Sequence, residues 1–249
     1  MTTTGKREAA SGKQDDIAAA LGSLRRSRAG MLFGLALIAG MYLRALRYTP
    51  IEATQGAAQK IFYLHAPSGW VAFLAFGVVG VCSILYLILK DPRLDRLAAS
   101  SAEVGVVFTT GVLLTGPIWG KPIWGTWWTW DARLTSTLFL WFIYFGYLVL
   151  RRAVLEPRQR ARFCAVLGIL GALLVPFIHV SVYLFRTLHP LPVVLRTDGP
   201  QLPGAMLATL LYSFTAFTVF YAMLTWHRYA QALREEQQDA WRAEEELRA

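Results

Sequence analysis

Six stretches of nearly unbroken apolar residues punctuate the chain, near residues 29–46, 69–89, 102–119, 134–150, 163–184 and 204–226. At 1.5 Å of rise per residue, each can cross a hydrocarbon layer roughly 30 Å thick. The pattern predicts an all-α polytopic membrane protein with six transmembrane helices. Two runs carry polar groups at their edges. The first holds Arg44 near its end, and the third opens at Glu103 and closes at Gly116-Pro117, places where a charged head can snorkel or a helix can stop. No small-residue cleavage site follows the first run, which is expected to stay as an anchor. The chain thus divides into a polar N-terminal tail (1–28), a membrane domain (29–226) and a C-terminal tail (227–249). In the last of these, Arg and Glu alternate at helical spacing, as on a solvated helix or a frayed end.

Lysine and arginine orient this layout. Of the 25 basic residues, 18 fall in the two tails and in the connections around Lys90–Arg96 and Arg151–Arg162, including Lys6, Arg28, Arg228 and Arg248. The other seven, Arg44, Arg47, Lys60, Lys121, Arg133, Arg186 and Arg196, belong to the alternate side. By the positive-inside rule both tails are cytoplasmic, and the segments 47–68, 117–133 and 185–203 face outward.

Composition agrees with a lipid solvent. The chain of 249 residues is 55% hydrophobic and only 16% charged, against roughly a quarter charged in soluble domains. The net charge of +9 therefore reads as membrane topology and not as affinity for nucleic acid. Two cysteines without a C-x-x-C pair exclude a disulfide framework, a zinc ribbon, a thioredoxin-like motif and covalent c-type haem attachment.

The outward segments carry the chemistry. Trp119, Trp124, Trp127, Trp128 and Trp130 crowd into GPIWGKPIWGTWWTWDARLTS (116–136). An interfacial aromatic belt spreads one or two tryptophans over many helix ends, whereas one loop loaded with indoles suggests a platform for a large flat apolar ligand. Asp131 stands where it can cap the fourth helix, with Thr135 and Ser136 in the first turn and Arg133 placing a cation beside the indoles. His65, at the end of the first outward segment, and His189, just after the fifth helix, flank this loop; Pro67 and Pro190 are expected to keep both out of regular helix. Two neutral imidazoles beside an aromatic platform suit a six-coordinate haem iron. Zinc would usually recruit cysteine or carboxylate as well, and neither Cys82 nor Cys164 is on this side. His179 falls within the fifth helix near its outer end, and His227 ends the sixth at the cytoplasmic interface.

At these residues the sequence resembles the CcmC family of haem-handling proteins in cytochrome c maturation, part of the tryptophan-rich "WWD" group. The likeness rests on WGTWWTWDARLTS (124–136), YLHAPSGW (63–70), RTLHP (186–190) and the six-helix layout. It implies that His65 and His189 are axial ligands to haem (b-type, held transiently and without covalent bonds) and that the 119–131 segment is its platform. It further implies a bacterial inner-membrane location, a periplasmic site, delivery of haem to the chaperone CcmE, and CcmA, CcmB and CcmD as neighbours. Against the family pattern, Tyr183, Leu184 and Phe185 stand where tryptophans often precede the second histidine, and Pro190 stands where glutamine often follows it. The sister CcsA-type synthetase subunits usually have more helices.

The expectation is therefore a haem-binding and transfer protein and not an enzyme. Trp124, Trp127, Trp128 and Trp130 would hold the macrocycle, and Arg133 with Lys121 or Arg186 would meet its propionates. A b-type cytochrome would need histidine pairs facing each other inside the bundle, and only His179 is placed there. A permease would show broken helices and paired polar residues near the midplane, and the sequence has neither.

Overall fold

A computed structural model describes residues 3–191, 193–194 and 199–246, with side chains from Arg25 onward; Arg196 and Arg248, counted in the charge argument, lie outside them. Six helices carry the fold: α1 (Thr3–Arg47), α2 (Phe62–Leu89), α3 (Pro92–Trp124), α4 (Ala132–Ala153), α5 (Pro157–Leu184) and α6 (Gly204–Glu246). A single 3₁₀ turn, Ala57–Ile61, leads into α2, and no β-strand occurs among the described residues. All six helices are long and apolar enough to cross a membrane.

Each helix outruns its apolar stretch, because hydrophobicity marks contact with lipid and not the limits of helical backbone. The polar N-terminal tail is helical from Thr3, in one piece with the first span. Its alanines, which have the highest helix propensity, give it reason to be. The C-terminal tail likewise continues α6 to Glu246.

Two expected breaks do not occur. Pro67 lies inside α2, so His65, the fourth residue of that helix, is helical and not the end of a loop. The segment expected as a loop over 117–133 is helical as far as Trp124, with Pro117 and Pro122 inside α3. A proline removes one donor and frees the carbonyl four residues earlier. Within a packed membrane helix the flanking bonds and neighbouring helices hold the backbone through that loss. The helix instead stops at Gly125, which caps it at φ +76°, a left-handed conformation that suits glycine.

Carboxylates start the next helices. Asp91, Asp131 and Glu156 each accept backbone N–H groups at the beginnings of α3, α4 and α5, and Pro92 and Pro157 take the first helical position, where no N–H is required.

Helices α2, α3, α4 and α5 close a ring in which each packs on the next and α5 returns to α2. Helix α6 lies against α2 and α3, and α1 packs extensively only on α6. The centre of the ring is aromatic. Phe76 stacks on Tyr144 with ring centroids 3.7 Å apart, and the Tyr144 hydroxyl donates to the Gly168 carbonyl at 2.9 Å. A stacked pair of this kind contributes about 0.5–1.5 kcal/mol beyond the area it buries.

With six passes, the two ends of the bundle differ. The end holding both termini carries ion pairs: the largely buried Arg151 grips Asp95 through both terminal guanidinium nitrogens (2.8 and 2.7 Å), the more exposed Arg228 meets Glu103, and Arg96 meets Glu236 and donates to the Tyr229 hydroxyl. The opposite end collects residues 48–61, 125–131 and the described part of 185–203, and with them every sequence-predicted site residue.

Candidate functional site

His65 is fixed by one face of α3. Its Nδ1 lies 2.9 Å from the Thr115 hydroxyl, and its ring lies against Gly116, where a Cβ would stand 3.3 Å from the imidazole Cε1. The Trp119 ring closes the same side edge-on, with centroids 5.7 Å apart. Residues 115, 116 and 119 share that face because positions three and four apart are neighbours on a helix. Apolar patterning does not single out Thr115, and a helix stopping at Pro117 leaves Trp119 off its face. With the helix continued, the spacing of Thr115 to Trp119 is the signal.

His189 sits on the irregular chain after α5, half-buried. Its backbone N–H donates to the Thr187 hydroxyl at 3.0 Å. Its Nδ1 lies 3.0 Å from the Pro190 carbonyl, which can only accept, so Nδ1 carries the proton and Nε2 the lone pair. Desolvation pulls this imidazole down to about 3, and the nearby Arg133 cation and His65 push the same way. His189 is therefore neutral at physiological pH, the form that ligates metals. That His65, Arg133 and Asp131 all act on it places the two histidines, separated by about half the chain, in one neighbourhood.

The five indoles do not form one continuous wall. Trp119 commits its Nε1–H to the Gln55 side chain at 3.1 Å, and Trp124 folds back over Gly120 at the end of α3. Trp128 and Trp130 meet edge-on at 5.8 Å. Trp130 is 77% exposed and Trp127 58% exposed, a large apolar surface at the rim. Lys121 reaches over the Trp127 ring at 6.0 Å and donates to the Gly125 carbonyl, whereas Arg186 is exposed.

Asp131 organises the start of α4. Its Oδ1 accepts from the Arg133 and Leu134 amides, each at 3.0 Å, and its other oxygen accepts from Thr129 at 2.9 Å. Close by are three buried donors with no acceptor within reach: Trp128 Nε1, Arg133 Nη1 and Thr135 Oγ1. A buried donor left unmatched costs about 1–3 kcal/mol, so three within eight residues suit a ligand that brings its own acceptors.

The remaining histidines stand apart. His179 lies on the exposed outer surface of α5 and not in the bundle, and His227 hydrogen-bonds Ser27 of α1 at 3.0 Å, at the opposite end. Among the described residues no group of three or more His, Cys, Asp or Glu is placed to hold a bare metal ion.

Fold and site together define a six-helix membrane protein that gathers two histidines and a run of tryptophans at one end of its bundle. Residues 16–244 match the family described as Heme exporter protein C, CcmC. The chain is similar to Heme exporter protein C of Bradyrhizobium diazoefficiens, with 41% identity over 76% of this chain and 71% of the relative. It is similar also to the protein of that name from Haemophilus influenzae (32%, over 85% and 84%) and from Escherichia coli K12 (35%, over 72% and 71%). The chain belongs to the CcmC family.

Proposed function

We propose that this protein presents haem at the outer, periplasmic face of the bacterial inner membrane and hands it to the haem chaperone CcmE for cytochrome c maturation. The supporting observation is the set of three unmatched buried donors, Trp128 Nε1, Arg133 Nη1 and Thr135 Oγ1, beside two histidines. Haem supplies what such a set lacks: carboxylates for the donors, a flat apolar ring for the indoles and an iron for the imidazoles. His65 and His189 would take the axial positions. Trp124, Trp127, Trp128 and Trp130 would contact the macrocycle, with Trp119 and Asp131 bracing the site, and Arg133 would meet a propionate, with Lys121 nearby. Because haem is cargo, it is held transiently and without covalent bonds, and the protein's work is carriage and not turnover. CcmA, CcmB and CcmD are the neighbours the family resemblance implies.

The test is the optical spectrum of the detergent-purified, haem-loaded protein. His65→Ala and His189→Ala should each turn a six-coordinate low-spin spectrum toward five-coordinate haem, and added imidazole should partly restore it. His179→Ala should leave it unchanged. If only His179→Ala abolishes the spectrum, the haem lies elsewhere. Reporter fusions after Arg96 and Arg160 should behave as cytoplasmic and those at Gly56 and Gly125 as periplasmic; a cytoplasmic Gly125 would overturn the sidedness.

A further inference from the structure

The two histidines are held in different ways, and the difference lies in Thr115. A threonine hydroxyl has one proton. Here the hydroxyl stands 2.7 Å from the Gly111 carbonyl, closer than to any other acceptor, in the usual back-bond to the preceding helical turn. With its proton committed there, the oxygen can offer His65 Nδ1, 2.9 Å away, only a lone pair. Nδ1 must then be the protonated nitrogen and Nε2 the free one. The ring cannot turn away easily, since Gly116 backs it and Trp119 edges it. All three contacts come from one rigid element, α3, and His65 itself stands on α2. Among the described residues His189 has no such brace. Its Nδ1 partner is the carbonyl of the next residue, so ring and partner travel together when the loop moves.

We infer that Thr115 is a positioning residue that fixes the tautomer and orientation of His65 and so makes it the axial ligand retained until haem leaves the protein, with His189 as the ligand exchanged first during transfer. The inference rests on the haem reading above. A histidine ligand whose second nitrogen donates to an anchored oxygen is more basic and better aimed, and loss of such a partner typically lowers metal affinity roughly 10- to 100-fold.

Two measurements test it, one without haem. In the haem-free protein labelled with ¹⁵N-histidine, magnetic resonance should report a protonated Nδ1 for His65 in the wild type and in Thr115→Ser, and a mixture of tautomers in Thr115→Val, with Thr115→Ala as the second variant should valine disturb insertion. In the haem-loaded protein, Thr115→Val should retain haem roughly 10- to 100-fold less well and regain a low-spin spectrum on addition of imidazole, while Thr115→Ser stays near wild type. Unchanged tautomer and spectrum in both Thr115→Val and Thr115→Ala, with His65→Ala still disruptive, would overturn the role of Thr115 and leave the haem reading standing. A spectrum indifferent to His65→Ala would overturn both.

Discussion

Replacing Arg133 with leucine should act in opposite directions on the empty and the loaded protein. In the empty protein Arg133 Nη1 is buried without an acceptor, and relieving an unmatched donor is worth about 1 kcal/mol or more. Arg133→Leu should therefore unfold no earlier than wild type, and somewhat later, in a thermal ramp in detergent. On the proposed reading, the same guanidinium would meet a propionate once haem is bound. A hydrogen bond to a charged group contributes about 1.5–3 kcal/mol, which is roughly 10- to 150-fold in affinity. Arg133 is only half-buried, which puts the expectation toward the lower part of that range, about 10- to 30-fold. The assay is spectrophotometric capture of released haem by excess apomyoglobin, with exposed Arg158→Leu as the control. A release rate unchanged in Arg133→Leu, or an empty protein that loses stability, would refute the reasoning, because either result means that Arg133 already has its partner within the chain.

Three further expectations follow from the geometry. Trp127→Ala combined with Trp128→Ala should leave the protein inserted but lower its haem content, as read by the pyridine haemochrome; normal content would reduce the indoles to a lipid belt. Asp95→Asn leaves the buried Arg151 charge without its carboxylate and should cost about 3 kcal/mol of stability in thermal unfolding, while the loaded spectrum at the other end stays as it was. Gly34→Leu should detach α1, because a Cβ there would already stand 2.8 Å from the Phe220 ring; cross-linking between cysteines placed on α1 and α6 should fall while haem binding persists.

The six spans were legible because lipid demands long apolar runs, and each run lies within one observed helix. Their limits were not. Apolar periodicity does not mark where the polar tail before residue 29 becomes helical, and proline is a weaker stop in a packed membrane helix than in water. That error hid part of the site. Treating 117–133 as loop placed Trp119 and Trp124 on a loop platform, whereas both stand on α3, and it separated Trp119 from the helical face that Thr115 and Gly116 turn toward His65. Charge sidedness placed His65, His189, Arg133 and Asp131 on one side; their closeness to one another comes from the fold. The hydrogen bond from Trp119 to Gln55 was not, since no spacing links residues 64 apart.

The attachment of α1 has a consequence for how the protein is made. Its extensive contacts are with α6 alone, which leaves the ribosome after the other five helices. At about 5–20 residues per second, synthesis from Arg47 to Gly204 takes on the order of 10–30 s, and for that interval the first helix has no lasting partner in its own chain. Its own apolar run must hold it in the bilayer. Only when Phe220 and Met223 arrive does the flat face of Gly30 and Gly34 find its complement. The ring of α2 to α5 can close before then, so the end holding His65 and Trp119 is assembled first and the clasp of α1 on α6 comes last. A nascent chain halted before α6 should accordingly hold α2 to α5 together while α1 remains free to exchange with an added α1 peptide, and protection of α1 at that stage would show that it docks elsewhere first.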